Sequence, residues 1–168
     1  REYRYQGQVA FSPARNLLAA TSEPAVVALY DLDSGRESIL WRAPDHNGWE
    51  VRDLSFSQDG SKVVIYAAGS DELGDAVWVV NVSSFRIENH HSSTYSDSHF
   101  HGAARLSPDN RRLYLARSDA REYRYNIQCL NLVTGEELWQ TETQEDFGLT
   151  ALAISPDGSV LASGSGFE

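Results

Sequence analysis

The chain has 168 residues, an apolar share of 41% and a formal net charge of −10 from 24 acidic and 14 basic residues. This composition is that of a globular domain, and the acidic balance argues against nucleic acid or an anionic membrane as a partner. No apolar run of about 18 residues is present, and the charged start from Arg1 to Tyr5 lacks the apolar segment of a signal peptide. We therefore expect a cytoplasmic location without a membrane span.

Along the chain, one pattern occurs four times: an apolar run ending in Ser, a turn, and a second apolar run. The copies cover residues 9–20, 51–67, 103–116 and 149–163. Their serines, Ser12, Ser57, Ser107 and Ser155, are separated by 45, 50 and 48 residues. This spacing is typical of one blade of a β-propeller.

The turn after each anchor serine has residues suited to a tight reversal. Pro108 and Pro156 supply the φ of about −65° that the second position of a type I turn requires. Gly60, Asn110 and Gly158 end their turns, and these residue types tolerate a positive φ. We predict a positive φ at all three positions.

A third strand is predicted at 26–32, 76–82 and 127–132, followed by turn residues and a fourth strand. Each unit is then a four-stranded meander that must stack against its neighbours to bury both faces. The predicted fold class is all-β: a β-propeller fragment of three four-stranded blades plus the first hairpin of a fourth. The predicted blade bounds within 1–168 are about 7–45, 49–92 and 99–144, with a partial blade at about 148–168. Because closed propellers have about four to eight blades, we expect the remaining blades elsewhere in a longer parent chain.

At these residues the sequence resembles the WD-repeat family. The stretch 149–165 is similar to that family's first two strands, and Tyr30-Asp31, Val80-Asn81 and Leu130-Asn131 stand at the place of its Trp-Asp pair. Residues 130–139 are similar to the Thr-Gly-x-x-x-Trp blade motif of quinoprotein-type propellers. The resemblance implies degenerate WD-like repeats in a protein that assembles other proteins.

Three functions fit this organisation. The first is a non-catalytic protein-binding scaffold without a cofactor, because no nucleophile elbow, Cys/His pair or phosphate-binding loop is present. The second is a quinoprotein- or lactonase-type propeller enzyme or cofactor-binding propeller. The third is a purely architectural segment of a larger multidomain protein. The single cysteine, Cys129, lies among apolar residues and is expected to be a buried hydrophobe.

The histidine-rich segment before the third repeat holds weak metal candidates. His99 and His101 would share one face of a strand, and Asp97 or His91 could complete a site. The many serines nearby favour a solvated connection between two blades. No metal is therefore predicted.

The predicted binding face carries the loops that lead into each first strand and those between the second and third strands. Its acidic candidates are Glu142, Glu145 and Asp146, and its aromatic candidates are Trp49, Phe100 and Phe147. An acidic rim around exposed aromatic side chains would attract and anchor a basic protein segment. The alternative is that these acids only keep the surface soluble.

Overall fold

The structure is a computed structural model that describes residues 7–44, 48–69, 74–93, 102–119, 124–143 and 149–165. All regular elements in these ranges are β-strands. None of the described segments is a helix that could span a membrane. The predicted all-β class is confirmed.

Four antiparallel sheets follow one another along the chain. The first blade contains β1 (Val9–Phe11), β2 (Leu17–Glu23), β3 (Val26–Asp31) and β4 (Arg36–Arg42). The second blade contains β5 (Glu50–Phe56), β6 (Lys62–Ala68), β7 (Asp75–Asn81) and β8 (Ile87–Ser93). The third blade contains β9 (Ala103–Leu106), β10 (Arg112–Asp119), β11 (Arg124–Asn131) and β12 (Glu137–Thr143). The hairpin contains β13 (Leu149–Ile154) and β14 (Leu161–Ser165). Strands adjacent in sequence are paired throughout, which confirms three meanders plus a hairpin.

The core lies between the sheets and forms three apolar clusters. Along β6, Val63 and Ile65 belong to the cluster between the first and second blades, whereas Val64 and Tyr66 belong to the cluster between the second and third. This alternation follows from the opposite directions of successive side chains in a strand. The third cluster joins the third blade to the hairpin and contains the buried Cys129, as expected. Blades therefore stabilise one another face to face, as in a propeller.

The inner turns, which join the first two strands of each sheet, share one hydrogen-bonded geometry in the second blade, the third blade and the hairpin. The anchor serine Oγ lies within 2.5–2.7 Å of the turn aspartate Oδ1, at Ser57–Asp59, Ser107–Asp109 and Ser155–Asp157. Positive φ values of 67°, 57° and 73° occur at Gly60, Asn110 and Gly158. The three predicted left-handed positions are confirmed.

The outer turns join the third and fourth strands. Their hydrogen bonds explain why Asp or Asn stands where the WD-repeat family has the aspartate of its Trp-Asp pair. The Oδ1 atoms of Asp31, Asn81 and Asn131 accept backbone N–H bonds of 2.8–3.2 Å from the residues two and three positions ahead. The residue four positions ahead has a positive φ, and it is Gly35, Phe85 or Gly135. The side chain that caps this turn is therefore retained in blades that lack the tryptophan.

Candidate interaction site

The first strands of the four sheets line one concave opening, called the channel below. Strands β1, β5, β9 and β13 lie side by side, and the opening they line has a volume of about 580 Å³. Its wall is largely apolar, with Phe11, Phe56 and Ile154, and Arg105 is the cationic residue in the lining. Val9 and Phe11 are more than half exposed there. Such a concave, partly apolar opening can accept side chains of a partner.

A partly buried ion pair crosses from the second blade to the third at the channel wall. Arg105 Nη1 donates to Asp53 Oδ2 and to the carbonyl of Ala104, and Ala104 N donates to Asp53 Oδ2 at 3.0 Å. Ser55 Oγ completes the connection with a 2.9 Å bond to the Ala104 carbonyl. Burial raises the pKa of Asp53, although attraction to Arg105 opposes the shift. The pair joins the first strands of two adjacent blades, β5 and β9, and keeps a guanidinium beside the channel.

The inner turns contact one another at one mouth of the channel. Asn110 Nδ2 of the third blade donates to Asp59 Oδ2 of the second blade at 2.9 Å. Partial burial alone would raise the pKa of Asp59, but hydrogen bonds from Ser57, Ser61 and Asn110 outweigh it and lower the pKa to about 2. Hydrogen bonds from Ser155 and Ser159 likewise lower the pKa of Asp157 to about 2. Both carboxylates are therefore ionised structural elements at neutral pH.

Trp49, a predicted partner contact, is partly buried between the first two blades. Its ring makes an edge contact with Trp78 at 5.1 Å, and Trp78 contacts Trp41 at 4.8 Å and stacks on His90 at 5.0 Å. Trp49 thus contributes to the inter-blade cluster. Any contact with a partner would use the remaining exposed part of its ring.

The metal candidates are only partly described. His91 lies on β8 opposite Val77, whereas Asp97, His99 and His101 lie outside the described residues. Among the residues that the structure describes, no group of three His, Cys, Asp or Glu side chains could hold a metal ion.

Of the remaining interaction candidates, Glu142 lies at the opposite end of its sheet from the inner turn. Glu142 is placed on β12 opposite Asn126, whereas Phe100, Glu145, Asp146 and Phe147 lie outside the described residues. The strand register puts further acidic residues at this end, namely Glu50, Asp75 and Asp119. It also puts Arg42 and Arg124 there. Glu50 forms a 2.9 Å ion pair with Arg52, so part of the acidic charge is neutralised within the protein.

Sequence reasoning missed Asp53 and Arg105. Asp53 lies in β5 near the apolar residues Val51 and Leu54, and Arg105 lies between Ala104 and Leu106 in β9. Opposite charges inside the inner strands of adjacent blades could have indicated an ion pair, because buried charges need partners.

Comparison with known proteins supports this architecture. The family WD domain, G-beta repeat matches residues 136–166. A search of curated proteins gave no match. Among solved structures 657 chains match, including Kuenenia stuttgartiensis hydrazine synthase, with a TM-score of 0.66 and 17% sequence identity. That alignment covers 93% of this chain and 42% of the other, so this chain spans less than half the length of that structure.

The sheet order and the inter-blade cores define a class, the β-propellers, and residues 136–166 match one WD repeat. This chain has that fold, with three blades and the first hairpin of a fourth in the described residues. A WD repeat indicates a protein-interaction scaffold. At 17% identity, the likeness to hydrazine synthase concerns the fold alone.

Proposed function

We propose that the chain is a non-catalytic protein-binding scaffold, part of a larger cytoplasmic protein, and that its acidic end binds a basic protein segment. The observation that carries the proposal is the WD repeat set among stacked blades. Stacked blades form a rigid platform on which the connecting loops are free to differ in sequence.

The choice of a basic partner rests on charge placement. Glu50, Asp75, Asp119 and Glu142 share one end of their sheets, while the chain as a whole carries −10. The nearby Glu145 and Asp146 add two negative charges in sequence directly after β12. A surface patch of one charge sign accelerates association with a partner of opposite charge and makes that association dependent on salt.

The test is to replace Glu142, Glu145 and Asp146 together by Lys and to measure binding of a fluorescent lysine-rich peptide that carries one phenylalanine. We expect the wild-type chain to bind this peptide, and the affinity to fall at least about tenfold in the variant and in high salt. A glutamate-rich peptide of equal length should not bind the acidic end.

A matched control replaces three acidic residues at the end that carries the outer turns by Lys: Asp33, Glu37 and Glu136. This variant has the same net charge as the test variant, so it should retain most of the affinity if the location of charge matters. Equal binding by the wild type and the test variant would reject the acidic end as the site. A bound quinone or a stoichiometric metal in the purified protein would instead favour a propeller enzyme.

A further inference from the structure

A second concave surface lies between the first and second blades, at the end that carries the outer turns. This groove has a volume of about 270 Å³. Its apolar wall consists of Leu17 and Leu29 of the first blade and Val82 and Phe85 of the outer turn of the second. The groove is separate from the acidic end, because outer turns and acidic strand termini lie at opposite ends of the sheets.

The polar side of the groove is positively charged. Arg15 and Arg36 line it together with Asp31. The Asp31 carboxylate is used by its own turn, where it accepts the N–H groups of Asp33 and Ser34. Within the part of the chain that the structure describes, the ion pairs involve other residues, and neither arginine guanidinium has a hydrogen-bond partner. Arg36 is attracted to the Asp31 carboxylate, which lies opposite it across the outer turn, so the two arginines and this aspartate leave one net positive charge in the groove. Two guanidinium groups without hydrogen-bond partners, beside an apolar wall, are complementary to a carboxylate next to an aliphatic side chain.

The backbone at Phe85 is an independent observation at the same place. Phe85 has a φ of 57° in a turn whose equivalent position is Gly35 in the first blade and Gly135 in the third. Its N–H bonds to the Asn81 carbonyl at 2.9 Å, as Gly35 bonds to Asp31 and Gly135 to Asn131. Left-handed backbone is unfavourable for a bulky residue, so glycine would suit this turn better. The aromatic ring is 43% exposed and lines the groove.

We propose that this groove is a docking site for an acidic peptide segment, with a Glu or Asp side chain between Arg15 and Arg36 and an aliphatic side chain against Phe85. The groove is smaller than the cavities that usually enclose a drug-sized ligand, about 300–1,000 Å³, and it can hold one or two side chains of an extended peptide. The site differs from the acidic end in position and in the sign of its charge, and it is independent of the function proposed above.

The test is a titration of the 15N-labelled chain with a hexapeptide of alternating leucine and glutamate. We expect a Kd of about 0.1–1 mM, with shift changes at Arg15, Arg36 and Phe85. The double variant Arg15→Gln/Arg36→Gln should weaken binding at least about tenfold. The control Arg86→Gln/Arg111→Gln, which removes two exposed arginines outside the groove, should bind as the wild type does.

The variant Phe85→Gly distinguishes a role of the Phe85 ring in peptide binding from a role in the stability of the fold. We expect this variant to bind the peptide at least about fivefold more weakly while its Tm rises by about 2–4 °C, because the strained turn relaxes. Replacement of glutamate in the peptide by glutamine should abolish binding. Equal affinity of the wild type and the arginine double variant, or shift changes located only outside the groove, would overturn the proposal.

Discussion

Gly60, in the inner turn of the second blade, is favoured there for two reasons. Its φ is positive, and the inner turn of the first blade approaches it closely. A Cβ at Gly60, where φ is 67°, would lie 2.5 Å from Ser12 Oγ, whereas a Cβ at Gly135, where φ is 72°, would have no heavy atom within 4 Å. We expect Gly135→Ala to lower the free energy of unfolding by about 1 kcal/mol, from backbone strain alone. Gly60→Ala should cost about 1–3 kcal/mol more, because the Ser12 and Arg15 side chains of the neighbouring turn must shift. Urea denaturation of both variants measures the difference, and equal losses would contradict the contact between turns.

The Asp59 carboxylate should make stability depend on pH in the acid range. Its pKa in the folded chain is about 2, against an ordinary value of 3.8, so ionised Asp59 stabilises the fold above about pH 4. That contribution is lost as the pH falls towards 2. After allowance for solvent screening, Asp59→Asn should cost about 0.5–1 kcal/mol near neutral pH, and more than half of this difference should disappear by about pH 2.5. A difference that is independent of pH would mean that the charge of Asp59 has no role.

At the scale of the element, the ion pair between β5 and β9 is the feature most sensitive to single substitution. Arg105→Met would leave the Asp53 carboxylate, whose side chain is 17% exposed, without its cation. We expect a loss of about 2–4 kcal/mol near neutral pH. Because the folded-state pKa of Asp53 is raised, protonation at lower pH should restore part of this stability.

The double variant Asp53→Leu/Arg105→Met serves as the control for this prediction. It should be more stable than Arg105→Met alone, because no unpaired charge remains in the wall of the channel. Thermal unfolding of the three proteins gives the comparison. If the single and double variants unfold at the same temperature, the pair makes no contribution through charge.

The elements could be predicted from sequence because each one depends on local chemistry. Alternating apolar residues and Ser-x-Asp-Gly turns specify a hairpin without reference to the rest of the chain. The ion pair could not be derived in this way, since Asp53 and Arg105 are 52 positions apart and meet only after two blades stack. The positive φ of Phe85 could not be predicted either. A bulky aromatic residue disfavours the left-handed backbone that this turn imposes, so the residue type gives no signal for it.

At the scale of the whole molecule, the stacked sheets separate two ends of different chemistry. One end carries the strand termini with Glu50, Asp75, Asp119 and Glu142, and the other carries hydrogen-bonded inner turns and the arginine-lined groove. Apolar clusters between adjacent blades hold both ends on one platform. The two proposals together predict that the chain binds a basic segment and an acidic segment at the same time.

The most direct measurement of the central claim is a backbone 15N chemical-shift map of the chain titrated with the lysine-rich peptide. We predict shift changes at the acidic end, including Glu50, Asp75 and Glu142, with none at the inner turns of Ser57, Ser107 and Ser155. Addition of the leucine–glutamate peptide should then change a second, separate set of signals around Arg36 and Phe85. Saturable binding of the lysine-rich peptide at the inner turns, or no binding at all, would contradict the proposed scaffold function.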